Sequence, residues 1–169
     1  MVFPSMGTSR LDQIDMNILT ELQRSGRMTN AELADRVGLS SSPCLLRVKR
    51  LQKAGFITGY HAALDLKKLG ETVTVFLEVT LSDHRINNFT VFEQGLRRFG
   101  EVMECHLVSG GFDYMVRLLV RDLTHFQTVV ERLLEANLGI ARYFSYIVVK
   151  TPIARSEAPL KSLFGADDE

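Results

Sequence analysis

Basic side chains cluster in one short segment of the 169-residue chain. Four of them fall within seven residues, namely Arg47, Lys49, Arg50 and Lys53. No acidic residue occurs between Asp35 and Asp65, so the charge of this segment is not balanced by its sequence neighbours. The whole chain is neutral, with 20 basic and 20 acidic residues, but residues 1–62 carry a net charge of +3. A local positive patch on a neutral protein indicates where a polyanion docks, and a solvated helix face is the alternative interpretation.

Three helices are predicted around this basic segment, over roughly residues 12–25, 30–37 and 41–54. The first ends at Gly26 and the second at Gly38, because glycine readily adopts the backbone conformation that follows a helix. Thr29 and Glu32 have the spacing of a capping box, which predicts the start of the second helix. Serines 40–42 provide candidate N-caps for the third helix.

The third predicted helix has two distinct faces. At 100° per residue, one side carries Cys44, Val48 and Leu51, and the other carries Ser42, Leu46, Lys49 and Lys53. The first set predicts the packed side and the second set the presented side. Two short helices joined by a tight glycine-containing turn, the second of them basic on its outer side, predict a helix-turn-helix of the winged-helix type. In such a motif the third helix enters the major groove of double-stranded DNA.

Candidate DNA contacts follow from the chemistry of the side chains. The long cationic side chains of Arg47, Arg50 and Lys53 suit phosphate oxygens, which position a protein on DNA. Ser42, Lys49 and either Leu45 or Leu46 suit base edges, the leucines by contacting thymine methyl groups. A rotation about the helix axis would exchange these roles, so both assignments stay open. The full candidate set is Arg27, Ser41, Ser42, Leu45, Leu46, Arg47, Lys49, Arg50 and Lys53.

The rest of the chain predicts a strand-helix-strand-strand-helix-strand order. The strands are expected at 73–81, 102–109, 112–121 and 143–149, with one helix capped by Asn87 or Asn88 and another capped by Asp122 or Thr124. Gly110-Gly111 predicts a tight two-residue hairpin turn between the middle strands. This order is ferredoxin-like, with both helices on one face of an antiparallel sheet. The predicted fold class is therefore α+β, with a helix-turn-helix domain followed by a ferredoxin-like βαββαβ domain.

The second face of the predicted sheet requires a partner. A homodimer that packs two sheets face to face would cover it. A dimer also suits a helix-turn-helix protein, because such proteins engage two half-sites about 34–36 Å apart.

Five segments are predicted along the chain. They are an N-terminal tail (1–10), a helix-turn-helix domain (11–56), an extended linker strand and connection (57–70), the ferredoxin-like domain (71–150) and a loosely held acidic tail (151–169).

The composition excludes several classes of protein. Apolar runs are too short for a membrane span, and residues 1–10 lack the pattern of a secretory signal, so a cytoplasmic protein is expected. Cys44 and Cys105 are too few and too far apart for a disulfide framework, which predicts reduced, structural cysteines. The four histidines are dispersed, and Glu104 with His106 falls short of a metal shell, so neither a metal nor another cofactor is expected.

Several motifs together indicate a family. The first group is Leu11-Asp12-Gln13-Ile14-Asp15, Ile18-Leu19, Gly26-Arg27, Glu32-Leu33-Ala34, Val37-Gly38-Leu39-Ser40, Arg47-Val48, Arg50-Leu51 and Gly55-Phe56-Ile57. The second is Val108-Ser109-Gly110-Gly111-Phe112-Asp113-Tyr114. Over roughly residues 10–150 the chain resembles the Lrp/AsnC transcriptional regulators.

The resemblance implies a sequence-specific, amino-acid-responsive regulator that forms a homodimer, or an octamer built from dimers, with effector sites near the central hairpin. The effector residues implied are Glu104, His106, Gly110, Gly111, Phe112, Asp113 and Tyr114. A carboxylate and free backbone N–H groups beside a glycine loop suit the ammonium and carboxylate of an amino acid. The structural alternative assigns the glycines to the turn and Asp113 to local backbone hydrogen bonding.

Two other classes of function compete with a regulator. Sirohaem decarboxylases resemble the same two-domain architecture without acting at DNA, and they predict a degraded basic helix. The basic helix is intact here, which argues against this enzyme class. The other class is a ligand-binding or interaction protein that merely retains the fold, and it would show no salt-dependent binding to DNA.

Overall fold

The structure is a computed structural model that describes residues 11–164, so the predicted N-terminal tail lies outside the described residues. The chain divides into two compact units. The helical unit comprises residues 11–63 and 153–164, and the sheet unit comprises residues 64–152. No helix within 11–164 combines the length and apolar character needed to cross a membrane.

The three predicted helices of the helical unit are present as α1 (Gln13–Arg24), α2 (Asn30–Arg36) and α3 (Ser41–Lys53). The predicted capping box is confirmed, because Thr29 Oγ1 accepts the backbone N–H of Glu32 at 3.2 Å while Glu32 Oε2 accepts that of Thr29 at 2.7 Å. A second capping box joins Asp12 and Asp15 at the start of α1. Ser40 is the N-cap of α3, but its hydroxyl makes no capping hydrogen bond.

All three helices contribute to one small core. Its buried members are Ile18, Leu33, Ala34, Cys44 and Leu51, with Val48 partly buried against them. This confirms the predicted packed side of α3. Burial raises the pKa of the Cys44 thiol, so the thiol stays protonated and packs as a small apolar group.

The described part of the C-terminal segment, residues 151–164, differs from the predicted loose tail, and the acidic end of that tail lies outside the described residues. Residues Leu160–Phe164 form a short helix, α6, that contacts α1. The side-chain amide of Gln23 accepts the backbone N–H of Ala158 at 3.0 Å and donates to its carbonyl oxygen at 3.3 Å. The prolines and acidic residues of this segment indicated disorder, but they gave no sign of a long-range contact with α1.

The predicted linker strand is also absent. Between residues 54 and 72 the structure contains no strand, only a short 3-10 helix at Leu66–Lys68. Ile57 packs against the core of the helical unit. A strand needs a neighbouring strand to bond its backbone N–H and C=O groups, and the described residues offer this segment none.

The sheet unit has the predicted element order. It runs β1 (Val73–Leu81), α4 (Ile86–Leu96), β2 (Val102–Leu107), β3 (Tyr114–Val120), α5 (Leu123–Glu135) and β4 (Ile140–Ile147). The strands form one sheet in the order β2-β3-β1-β4, and every neighbouring pair is antiparallel. The ferredoxin-like prediction is therefore confirmed.

One face of this sheet packs on the two helices. Alternate residues of β1 and β3 are buried there with Phe92 and Leu96 of α4 and Val129 and Leu133 of α5. The opposite face is open in the single chain. On that face Phe144 and Tyr146 of β4 are 51% and 49% exposed. They lie opposite Glu78 and Phe76 of the neighbouring strand β1.

Several predicted boundaries in the sheet unit are wrong. α4 begins at Ile86 after Arg85, so neither Asn87 nor Asn88 is its cap. β4 runs from Ile140 to Ile147 rather than over 143–149, because Gly139 ends the preceding turn with a positive φ of 74°. The predicted Asp122 cap of α5 is confirmed, since its carboxylate accepts the backbone N–H of His125 at 2.7 Å.

The predicted two-residue hairpin is wrong as well. β2 ends at Leu107 and β3 begins at Tyr114, which leaves a six-residue connection over 108–113. The backbone N–H of Val108 donates to the carbonyl oxygen of Asp113 at 2.9 Å and closes this connection, here called the glycine loop. Gly110 has a positive φ of 152°, whereas Gly111 does not have one, so the mirror-image turn expected of a glycine pair does not form.

Candidate nucleic-acid interface and effector site

The outer face of α3 presents polar, basic and apolar side chains together. Ser42, Leu46, Lys49 and Lys53 follow one another at intervals of three or four residues, and all are exposed, Leu46 to 66%. Neither lysine takes part in an ion pair with another residue of 11–164. Both positive charges are therefore available to an external polyanion.

The other candidates differ in position. Ser41 is exposed in the first turn of α3, and Leu45 is 41% exposed beside it. Arg27 is exposed ahead of α2 and is not on α3. Their placement is compatible with the predicted role in DNA binding, which stays a prediction for each residue.

The turn between α2 and α3 fixes how the outer face is presented. The backbone N–H of Leu39 donates to the carbonyl oxygen of Ala34 at 2.8 Å, and Gly38 adopts a φ of 70°. This is a Schellman ending, in which glycine avoids the strain that a side chain would bring. Asn30 of α2 donates its side-chain amide to the carbonyl oxygen of Ser41 at 2.7 Å, which ties α2 to the start of α3.

Arg47 and Arg50 differ from the two lysines, because both engage carboxylates of the α1 terminus. Arg47 Nη1 lies 2.6 Å from Asp12 Oδ2 and 2.9 Å from Asp15 Oδ1, and Arg50 Nη2 pairs with Asp15 Oδ2. Hydrogen bonds from the backbone N–H of Asp15 and from Arg47 lower the pKa of the Asp12 carboxyl. The long cationic side chains of both arginines predicted phosphate contacts, and the helical pattern of α3 gave no sign of these carboxylate partners. Two acids three residues apart at the start of α1 were the available signal.

The glycine loop is held to the end of β1 through Asp113. Its Oδ2 accepts the backbone N–H of Leu81 at 2.7 Å, and its own backbone N–H donates to the carbonyl oxygen of Val79 at 3.0 Å. His84 Nε2 lies 3.0 Å from Asp113 Oδ1. The local hydrogen bonding expected of this aspartate is thus replaced by contacts with a distant segment of the chain. Gly110 and Gly111 border open space, and Phe112 is half-buried.

Glu104 and His106 form a separate cluster on β2. Glu104 Oε1 accepts a hydrogen bond from Arg117 Nη2 of β3 at 2.6 Å, and His106 Nε2 lies 3.4 Å from Glu104 Oε2. The Arg117 guanidinium lowers the pKa of Glu104. Among residues 11–164, no hydrogen bond connects this cluster with Asp113. The predicted effector residues therefore fall into two separate groups, one around Glu104 and His106 and the other around Asp113.

Tyr114 is placed in the core of the sheet unit. Its side chain is 1% exposed, its ring lies 4.6 Å from that of Phe92 between centroids, and its hydroxyl donates to Glu93 Oε1 at 2.7 Å. Burial, together with the neighbouring Glu93 carboxylate, raises the pKa of Tyr114. Tyr114 therefore anchors the end of the glycine loop in the core, and its buried side chain has no exposed surface that an effector could contact.

Comparisons with known proteins match both units. Residues 11–58 match winged helix-turn-helix DNA-binding domains, and residues 74–158 match the Lrp/AsnC ligand-binding domain. The leucine-responsive regulatory protein of Escherichia coli strain K12 is 42% identical over 140 residues, which cover 83% of this chain and 85% of that protein. The chain belongs to the Lrp/AsnC family. It is accordingly a DNA-binding transcriptional regulator with a ligand-binding domain, and relatives of the same name occur in Klebsiella pneumoniae at the same identity and coverage.

Solved structures of Lrp/AsnC regulators share the fold. A transcriptional regulator from Neisseria meningitidis in complex with L-methionine has a TM-score of 0.85 and 32% identity, covering 91% of this chain and 99% of that one. AsnC from Escherichia coli has a TM-score of 0.79 and 26% identity, covering 88% and 98%.

Proposed function

We propose that the outer face of α3 reads operator DNA in the major groove. The observation that carries this proposal is the exposure of Ser42, Leu46, Lys49 and Lys53 on one face of a helix whose other face is fixed in the core. A side chain that hydrogen-bonds a base edge contributes about 1–3 kcal/mol of discrimination, and a lysine on a phosphate contributes salt-dependent affinity. Arg27, Ser41 and Leu45 extend this surface.

The effector proposed for this chain is an amino acid. The supporting observations are the L-methionine bound to the similar Neisseria meningitidis regulator and the leucine-responsive relatives. In the sheet unit, Asp113 offers a carboxylate for an ammonium group, and Gly110 and Gly111 border the open space that a small ligand needs. Glu104 and His106 supply a second polar cluster on β2, and Phe112 is the neighbouring apolar side chain.

The proposed assembly is a homodimer through the open face of the sheet, with an octamer built from four such dimers as the larger form. Phe76, Phe144 and Tyr146 line this face, and aromatic side chains of this kind bury large areas when two sheets pack together. A dimer also presents two copies of α3 to two half-sites of an operator. The proposed place of action is the cytoplasm.

A regulatory rather than catalytic role agrees with the names of the relatives. The decarboxylase-like alternative requires a degraded basic helix, whereas Lys49 and Lys53 are both present and exposed on α3. We therefore propose no enzyme activity for this chain.

Selection of genomic DNA fragments tests the proposed function. The purified full chain is incubated with fragments at one stated salt concentration, with and without a mixture of amino acids. We expect an enriched motif whose occupancy shifts with the mixture. Lys49→Ala should reduce the enrichment, while Lys67→Ala, which removes an equal charge outside the helical unit, should not. Absence of enrichment in every condition would contradict the proposal.

A further inference from the structure

One carboxylate of α1 engages two arginines of the proposed reading helix. Asp15 is fully buried, with 0% of its surface exposed, and it contacts Arg47 through Oδ1 and Arg50 through Oδ2. Its Oδ2 also accepts the backbone N–H of Asp12 at 3.2 Å. Asp12 in turn lies 2.6 Å from Arg47, so two aspartates and two arginines form one neutral network.

This network uses the charge of both arginines. A buried carboxylate requires paired partners, because an unpaired charge in a protein interior is costly. Arg47 is only 27% exposed at its side chain, while Arg50 is 48% exposed. Lys49 lies between them in sequence but points outward and has no partner among residues 11–164.

The spacing of the two arginines is suited to fixing the orientation of α3. Residues three apart lie on one face of a helix and are separated by about 4.5 Å along its axis. Two attachments at that separation oppose both rotation about the axis and tilting. A rotation of about 100° would move each side chain to the position of its neighbour, so the orientation of the helix decides which side chains meet the bases.

We infer that Asp15 is a positioning residue for DNA recognition, and that Arg47 and Arg50 orient α3 instead of neutralising phosphates. This inference rests on the proposed function of the outer face of α3. On this inference the two arginines take neither of the roles that the sequence left open, because their contacts with α1 oppose rotation of α3. The phosphate-neutralising charges of α3 are then Lys49 and Lys53.

The salt dependence of DNA binding separates positioning from phosphate contact. The logarithm of the binding constant falls with the logarithm of salt concentration by about 0.9 for each phosphate neutralised. Asp15→Asn removes the negative charge that holds both arginines. If the arginines orient α3, operator affinity falls about tenfold or more, while nonspecific affinity and the salt slope stay unchanged. If the arginines are held back from phosphates, their release raises nonspecific affinity and steepens the slope, which would overturn the inference.

Three further variants keep the test decisive if Asp15→Asn fails to fold. Arg50→Lys keeps the charge but loses the planar, two-pronged geometry, so it should also lower operator affinity without changing the slope. Lys49→Ala should reduce the magnitude of the salt slope by about 0.9, the value for one phosphate contact. Asp35→Asn serves as a matched control, since Asp35 is exposed on α2 and forms no ion pair within 11–164. A change in slope for Arg50→Lys, or unchanged operator affinity, would contradict the inference.

Binding by the unsubstituted protein distinguishes failure of the proposed function from failure of the positioning role. If it shows no salt-dependent binding to any DNA fragment, the proposed function itself fails. If it binds its operator and Lys49→Ala weakens that binding, but Arg50→Lys and a folded Asp15→Asn bind normally, only the positioning role fails. Far-UV circular dichroism of each variant at the binding temperature establishes that the helices are intact.

Discussion

Substitutions of Asp113 separate the structural role of the glycine loop from its proposed role in binding the effector. The carboxylate accepts the backbone N–H of Leu81 at 2.7 Å, and Leu81 is only 3% exposed. In Asp113→Ala this buried N–H loses its acceptor, which costs about 1–3 kcal/mol of free energy of unfolding. Asp113→Asn keeps an oxygen that can accept the same hydrogen bond and loses mainly the charge that faces His84. We therefore expect it to cost less than about 1 kcal/mol.

Urea denaturation followed by far-UV circular dichroism measures this difference, because the chain contains no tryptophan to serve as a fluorescent probe. Both variants remove the negative charge proposed to bind an effector ammonium group. Both should therefore lose the shift in DNA affinity that amino acids cause, although only the alanine variant is strongly destabilised. Equal stability of Asp113→Ala and the unsubstituted protein would refute the role assigned to the Leu81 hydrogen bond. A full effector response in Asp113→Asn would refute the role assigned to the charge.

Three further predictions concern stability and local packing. Burial raises the pKa of Cys105 to about 11, above its value in an unfolded chain, so the stabilisation from the protonated thiol is complete below about pH 8.5 and is lost as the pH rises towards 11. Alkylation of Cys105 by iodoacetamide, followed by peptide mapping, should show this high midpoint, and a midpoint near 8.5 would contradict it. Gly95→Ala places a methyl group within 3.2 Å of three side-chain atoms of Leu138, so overpacking of about 1–3 kcal/mol should exceed the helix propensity gain of about 1 kcal/mol. A higher urea midpoint for this variant would show that Leu138 moves aside freely. Gln23→Ala removes both hydrogen bonds to Ala158, so amide hydrogen exchange at Ala158 should accelerate while exchange in α4 serves as the unchanged reference.

Local patterns in the sequence predicted most of the fold. The alternation of apolar residues gave β1 its observed bounds of Val73–Leu81, and the capping box at Thr29 placed the start of α2. Both signals are local, since they arise from neighbours within a few residues. The start of β4 was missed because Ile140, Ala141 and Arg142 do not alternate in polarity, and only pairing with β1 makes them a strand.

The candidate site was less predictable, because its decisive contacts join residues far apart in the chain. Arg47 and Asp15 are 32 residues apart, and so are Leu81 and Asp113. The helical periodicity correctly predicted α3 and its exposed outer face. It could not show which cations of α3 are free to contact DNA. Which cations are neutralised within the protein depends on the packing of α1 against α3, and a single helical pattern contains no information on that packing.

The C-terminal segment has a consequence for how this protein is made. Residues 64–152 are inserted between the two parts of the helical unit, so a further 89 residues are synthesised between the end of its first part and the start of the segment that packs on α1. At about 5–20 residues per second, this delay lasts about 4–18 s. During that interval α1–α3 exist without the backbone partner that Gln23 binds, and without Leu160, which lines an apolar cavity together with Leu19 and Leu22 of α1. The described segment 153–164 thus belongs to the unit that contains the helix-turn-helix, although its position in the sequence, shortly after β4, suggests the ligand-binding unit.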